Sequence, residues 1–96
     1  MQINAIKLTE KDNVATVLKA VSKGEQVCFA AEQEATEALS DIPFGHKIAV
    51  CEIAQGSEII KYGEIIGIAT QNISKGAHVH VHNIESRRAR GDLNEA

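Results

Sequence analysis

The chain has 96 residues, of which 44% are hydrophobic, and this length suits one domain with a single small core. Its net charge of −3 argues against a general nucleic-acid binder, which would carry a basic face, and no apolar run approaches the ~20 residues of a membrane span. The two cysteines, Cys28 and Cys51, lack CxxC spacing, and the first residues lack a signal-peptide pattern, so we expect a cytoplasmic protein.

The first part of the chain predicts a strand followed by a short helix. Residues 3–8 alternate apolar and polar side chains imperfectly, as in a short strand. Asp12 or Asn13 can cap a helix, and Gly24 is a suitable residue to follow its end. Between them, aliphatic residues recur at helical spacing, which predicts one helix near residues 13–22. These aliphatic residues are Val14, Val17, Leu18 and Val21.

After the predicted helix, short apolar runs alternate with turns. Three turns, at Gly24, Gly56 and Gly76, share the pattern small–polar–Gly–x–polar–aliphatic, which is typical of a left-handed glycine before a strand. Their unequal spacing argues against a regular repeat array. Such frequent turns predict a mainly β (α+β) fold, compact and built from short strands, with the one helix. The predicted strands cover residues 26–31, 47–53, 57–61, 65–70 and 76–83.

Histidines give the last predicted strand its chemical character. His78, His80 and His82 alternate there with Val79 and Val81. Alternate side chains share one face of a strand at ~6.5–7 Å, so neighbouring imidazoles are close enough to bind one metal ion. The pattern leaves open the alternative that these histidines form the polar outer face of a surface strand.

A fourth histidine, His46, follows a break in the chain and precedes a predicted strand. Pro43 and Gly45 mark this break, which places His46 at the edge of a loop, where functional side chains are often displayed. An imidazole that titrates near physiological pH suits a general acid or a metal ligand. The alternative from the residues alone is an ordinary surface histidine.

Five spaced segments carry a family resemblance: Gly45-His46-Lys47, Ile60-Lys61-Tyr62-Gly63, Ile66-Gly67, Gly76 and Val79-His80-x-His82-Asn83. Together they resemble the SAF-type β-clip domain of the altronate/galactarate dehydratase family, which is also the small subunit of sulfolactate sulfo-lyase. The resemblance runs from about Asn4 to about Leu93. We therefore predict an SAF domain over residues 1–85 and a polar, partly flexible tail over residues 86–96.

The resemblance implies the small subunit of a metal-dependent carbon–oxygen or carbon–sulfur lyase that acts on a sugar acid or a small hydroxy or sulfo acid. A separate large subunit would carry most of the active site, and we expect an oligomer without nucleic-acid or membrane partners. The implied cofactor is a divalent metal, first Fe²⁺, with Mn²⁺ or Zn²⁺ as alternatives. The competing hypothesis is a non-catalytic module that binds a carbohydrate or a metal.

The predicted site residues fall into three roles. Elimination beside a carboxylate needs a proton acceptor and stabilisation of negative charge, and the predicted catalytic residues are His46, Lys61 and Tyr62. The predicted metal ligands are His80 and His82, ahead of His78. The predicted substrate-binding residues are Asn83, Arg87, Arg88 and Arg90, since guanidinium groups bind carboxylates in pairs of hydrogen bonds. The alternatives are that the arginines dock on acidic patches of the large subunit, and that Asn83 orients a histidine or caps the end of the strand.

Overall fold

Short antiparallel strands form the whole of the described architecture. The computed structural model describes residues 3–29 and 35–86, and across these ranges it contains nine strands and no helix. No segment of the described chain is therefore a helix long and apolar enough to cross a membrane. The strands are β1 Ala5–Ile6, β2 Val14–Val17, β3 Gln26–Cys28, β4 Ala35–Glu37, β5 Lys47–Ala49, β6 Glu58–Lys61, β7 Glu64–Ala69, β8 His78–Val79 and β9 Ile84–Ser86.

The strands are arranged in three small sheets. The first sheet has the order β1-β2-β5-β8, the second pairs β3 with β4, and the third has the order β6-β7-β9. Every neighbouring pair is antiparallel. The prediction of a compact, mainly β fold built from short strands is thus confirmed.

The predicted helix over residues 13–22 is wrong, because this segment contains β2. The strand pairs with β1 on one side and β5 on the other. Val14 packs into one hydrophobic core, whereas Val17 packs into the other, so alternate faces are buried. Leu18, which a helical stripe would bury, remains 45% exposed. Val14 and Val17 fit a helical period, but they belong to a strand that is buried on both faces.

Four of the five positive-φ glycines in the described chain lie in turns of one kind, and these turns form two pairs. Each turn glycine comes three residues after an aliphatic residue. These aliphatic residues form two isolated β-bridges, Val21 with Ile42 and Ile53 with Ile73. The glycines, all with positive φ, are Gly24, Gly45, Gly56 and Gly76. Gly24 and Gly56 lie 32 residues apart, and Gly45 and Gly76 lie 31 apart, so the two halves of the fold are related. The sequence pattern does not reveal this relation, because Pro43 and Phe44 depart from the small–polar residues that precede the other glycines.

Two aliphatic clusters fill the interior, and β2 and β5 contribute to both. The first cluster surrounds Ile42 and Ile48 and includes Phe29 at its edge. The second cluster surrounds Ile59 and Val79. The central strands are covered on both faces. Consecutive side chains along them are therefore small and apolar, which is typical of fully buried strands.

Asp12 fixes the turn between β6 and β7 to the segment before β2. Its buried carboxylate accepts hydrogen bonds from the backbone amides of Leu8 and Gly63 at 2.9 and 2.8 Å and from the Thr9 hydroxyl at 2.7 Å. The turn places both Tyr62 and Gly63 at positive φ, as two-residue hairpin turns of type I′ require. Asp12, predicted as a helix cap, instead holds the turn that presents Tyr62.

Replacing Asp12 by Asn is expected to lower the free energy of unfolding by about 2–3 kcal/mol, because an amide cannot accept all of these buried hydrogen bonds. Burial raises the pKa of the Asp12 carboxyl, but hydrogen bonds from Thr9, Gly63 and Leu8 outweigh it and leave this pKa below its ordinary value. The carboxylate therefore stabilises the fold above the ordinary aspartate pKa, and this contribution is lost as the pH falls through the lower folded pKa.

Thermal unfolding of wild type, Asp12→Asn and the exposed control Glu10→Gln, followed by circular dichroism, tests this expectation. The gap in Tm between wild type and Asp12→Asn should be roughly 10 °C at neutral pH and should narrow in acid. Equal losses of Tm in Asp12→Asn and Glu10→Gln would contradict this expectation. A gap between wild type and Asp12→Asn that stays constant down to acid pH would also contradict it.

Candidate functional site

The histidine strand is shorter than predicted, and its register gathers the histidines with His46. Only His78 and Val79 belong to β8, and residues 81–83 form a turn. In the antiparallel pair β5–β8, Lys47 faces Val79 and Ile48 faces His78. Continuing this register by one residue places His46 opposite His80. The prediction of a strand over residues 76–83 is therefore wrong beyond Val79, because the chain turns there.

Three imidazoles make a compact group at this edge of the first sheet. Nδ1 of His46 lies 2.9 Å from Nε2 of His78, a hydrogen-bonding distance that requires one nitrogen to carry a proton and the other to accept it. The rings of His46 and His80 stack with their centroids 4.0 Å apart. One nitrogen from each of His46, His78 and His80 lies within 4.8 Å of the others, so these three residues could hold a metal ion. We call them the histidine trio.

His82 is next to this group but outside it. Its ring is tilted by 42° against that of His78, with the centroids 5.2 Å apart. The sequence prediction grouped it with His78 and His80, and its role as a ligand stays a prediction. The structure adds His46 to His78 and His80 because β5 is paired with β8.

Electrostatics favour the neutral form of two members of the histidine trio. Partial burial, followed by the charges of His82, His46, His80 and Lys47, lowers the pKa of His78. The pKa of His80 is lowered by desolvation and by the charges of His46, Lys47 and His82. Neutral imidazole is the form that binds metal ions. His78 and His80 therefore favour the neutral form in which an imidazole nitrogen can bind a metal ion.

Asn83 shapes the turn that carries the histidines. Its side-chain amide donates to the carbonyl of His78 at 2.9 Å, and its oxygen accepts from the amide of His80 at 3.0 Å. The side chain is buried, and both of its ends bond to the backbone of the histidine segment. Its predicted role in substrate binding stays a prediction, and the geometry supports the alternative, in which Asn83 orients the histidines.

The predicted residues Lys61 and Tyr62 lie at the end of β6 and in the following turn. Nζ of Lys61 lies 5.1 Å from the centre of the Tyr62 ring, within the range of a cation–π interaction. Lys61 also interacts electrostatically with Lys47, which neighbours His46. The predicted residues Arg87, Arg88 and Arg90 lie outside the described residues. No sequence pattern predicts that Asp12 holds the Tyr62 turn, since the pattern around it indicates only a helix cap.

Comparisons of the sequence with known proteins identify relatives of this chain. The sequence profile of the altronate/galactarate dehydratase SAF domain matches residues 3–87. Altronate dehydratase of Bacillus subtilis is 43% identical over 81 residues, which cover 84% of this chain and 16% of that protein. The (2R)-sulfolactate sulfo-lyase subunit alpha of Chromohalobacter salexigens is 37% identical over 76 residues, 75% of this chain and 81% of that protein.

The chain covers a small part of one kind of relative and most of the other. It spans about one sixth of the altronate dehydratases of Bacillus subtilis and Escherichia coli, but most of the sulfo-lyase subunit alpha. The profile match covers most of the chain and includes the whole histidine trio. The chain therefore belongs to the altronate/galactarate dehydratase SAF domain family.

Proposed function

We propose that this chain is the small subunit of a lyase that removes water or sulfite from a sugar acid or a small hydroxy or sulfo acid. The histidine trio is the observation that carries the proposal, because it gathers three imidazoles that could bind a metal ion at the edge strand of the first sheet. A large subunit supplies the remainder of the active site. The relative named subunit alpha, of which the chain covers 81%, supports a two-subunit arrangement.

Exposed apolar side chains beside the trio support the proposal that the large subunit binds at this surface. Phe44, two residues before His46, is 70% exposed, and Val81, next to His80, is 79% exposed. Large apolar side chains in such positions are commonly covered by a partner. The large subunit therefore packs over the turns that carry His46 and His80, and it closes the site from solvent.

A divalent metal fits the donor set of the trio, and Fe²⁺ is the ion that we propose. Imidazole nitrogens suit iron and zinc, and three of them leave further coordination positions for substrate oxygens. His46, His78 and His80 would hold the ion. When bound, the metal supplies Lewis-acid polarisation of the substrate oxygens and stabilises the negative charge that develops on the carboxylate.

The remaining residues of the chain position the substrate and stabilise charge. Lys61, held over the Tyr62 ring, donates hydrogen bonds to a substrate oxygen that gains negative charge as the α-proton is removed. Tyr62 offers a hydroxyl from the same turn. Asn83 keeps the backbone of His78 and His80 fixed, so the imidazoles need little rearrangement during the reaction.

Reconstitution tests the proposed function. The chain would be purified alone and together with a large subunit of the altronate dehydratase or sulfolactate sulfo-lyase type encoded beside it. Each preparation would be assayed with altronate, galactarate and (2R)-sulfolactate. We expect turnover only after mixing, loss of turnover with EDTA, and its return with Fe²⁺. Full turnover by the isolated chain, or a large subunit that is equally active without it, would contradict the proposal.

A further inference from the structure

Asp12 is the one carboxylate that is buried within residues 3–29 and 35–86, and it joins two distant parts of the chain. Its carboxylate accepts hydrogen bonds from the backbone amides of Leu8 and Thr9, at 2.9 and 3.3 Å, and from the Thr9 hydroxyl at 2.7 Å. The same carboxylate accepts from the amide of Gly63 at 2.8 Å, 51 residues away. Three bonds thus anchor the carboxylate locally, and the fourth fixes the turn between β6 and β7.

The bond to Gly63 controls the conformation of Tyr62. The Gly63 amide belongs to the planar peptide group that follows the Tyr62 α-carbon, so holding this amide restricts ψ of Tyr62. The side chain of Asn13 holds the preceding strand, because it donates to the carbonyl of Glu58 at 2.8 Å and accepts from the amide of Ile60 at 2.7 Å. Two consecutive residues therefore hold β6 and its turn.

Tyr62 occupies a conformation that tyrosine does not favour. Its φ of +53° is the only positive value at a non-glycine residue in the described chain. Asparagine and glycine are the usual residues at the first position of such a hairpin turn, and a bulky side chain there costs stability. Burial does not offset this cost, since Tyr62 is 37% exposed and its ring centre lies 5.1 Å from Nζ of Lys61. Strained backbone of this kind is concentrated at binding and catalytic sites.

We infer that Asp12 is a positioning residue for Tyr62, and that the turn it holds presents the phenol hydroxyl to the hydroxy or sulfo acid on which the proposed lyase acts. The inference rests on the proposed function for the identity of that acid. The hydroxyl of Tyr62 and the ammonium of Lys61 are donors of the kind that bind a carboxylate or sulfonate oxygen. Asp12 is buried, so it acts through Tyr62 rather than on the acid itself.

A double-mutant cycle in the reconstituted complex, at a temperature well below every Tm, tests the inference. Tyr62→Phe keeps the ring and removes the hydroxyl, and it should lower kcat about 100-fold. Asp12→Asn should lower kcat at least about 10-fold, because a small displacement of a contacting group is sufficient. In the Tyr62→Phe background, Asp12→Asn should cause no further loss of kcat, since both changes remove the same contact. Losses that multiply in the double variant would overturn the inference.

Asn4→Ala is the matched control for lost stability. The Asn4 side chain accepts from the amide of Cys28 at 2.7 Å and donates to the carbonyl of Gln26 at 3.3 Å, so it holds β3 in the way that β6 is held. This variant should have a lower Tm than wild type and the same kcat. A loss of kcat equal to that of Asp12→Asn would overturn the inference, because general destabilisation would then explain both.

The isolated chain gives two readouts that do not depend on the lyase. Tyr62→Asn places in the turn a residue that tolerates positive φ, so it should raise Tm by roughly 4 °C. In Asp12→Asn, NMR coupling constants should show that Tyr62 loses its positive φ. A lower Tm in Tyr62→Asn, or an unchanged φ of Tyr62 in Asp12→Asn, would overturn the inference.

The inference and the proposed function fail in different ways. If both readouts of the isolated chain are as expected but the reconstituted complex is inactive, the hold of Asp12 on Tyr62 stands and the lyase is removed. An active complex in which Tyr62→Phe keeps the kcat and KM of wild type would leave the lyase standing and remove the inference.

Discussion

Replacing His46 by Gln is expected to lower kcat of the reconstituted complex by about 10²- to 10⁴-fold, the range that a positioned imidazole contributes to catalysis. The amide of Gln is polar and of similar length, so the half-buried position should still pack. It cannot replace the nitrogen that lies 2.9 Å from His78 or the ring that stacks on His80. The trio would lose one of its three donors, while the fold would remain.

The matched control is His82→Gln, which alters a histidine of the same segment outside the trio. Fe²⁺ or Zn²⁺ affinity of each chain would be measured by isothermal titration, together with kcat of each complex. His46→Gln should weaken metal binding by more than the ~10- to 100-fold that loss of a partner outside the ligand set costs, and His82→Gln should weaken it less. If His82→Gln had the larger effect on both quantities, the ligand set would be His78, His80 and His82, as the sequence pattern predicts.

Replacing Gly76 by Ala is expected to lower the free energy of unfolding more than the same replacement at any other positive-φ glycine of the described chain. A Cβ at this position would lie 2.2 Å from the carbonyl oxygen of Glu37, a backbone atom of β4, and φ is +91°. The backbone would have to shift, which strains the hydrogen bonds from Gly76 to Ala49 and from Leu39 to Gly76. The positive φ costs about 1–2 kcal/mol, and with the clash we expect about 4 kcal/mol in total.

Gly56→Ala separates the two causes. Gly56 has φ of +88° in the turn that shares the Ile53–Ile73 bridge with the Gly76 turn, but a Cβ there meets nothing within 4 Å. It should lose only the ~1–2 kcal/mol of the left-handed backbone. Thermal unfolding should therefore show a Tm for Gly76→Ala that is roughly 10 °C or more below that of Gly56→Ala. Equal losses of Tm would mean that the backbone at Glu37 accommodates the methyl group without cost.

The error over residues 13–22 shows where local pattern fails as a guide to the fold. A helical period and a buried strand can place the same valines, and the deciding information lies elsewhere in the chain. Val14, Val17 and Val21 are buried by contacts from residues that are distant in sequence. Asn13 does not cap a helix, because its side chain bonds to the backbone of Glu58 and Ile60 in β6. Side-chain propensity could not reveal those partners.

The turns, the β class and the chemistry available at the site follow from local patterns in the chain. Glycine is needed wherever φ is positive, so the repeated glycine pattern locates sharp turns from local sterics alone. Alternation with period two is equally local, and it placed His78 and His80 on a common face. The family resemblance rested on spaced motifs that the profile match over residues 3–87 confirms.

Which histidines meet depends instead on strand pairing between distant parts of the chain. His46 and His78 are 32 residues apart, and their contact depends on the register between β5 and β8. That register is fixed by the paired glycine turns and by the burial of Ile48 and Val79 in two different clusters. The energy that selects it is spread over many long-range contacts. For this reason the sequence shows that histidines supply the chemistry of the site, but it does not show which three of them form the trio.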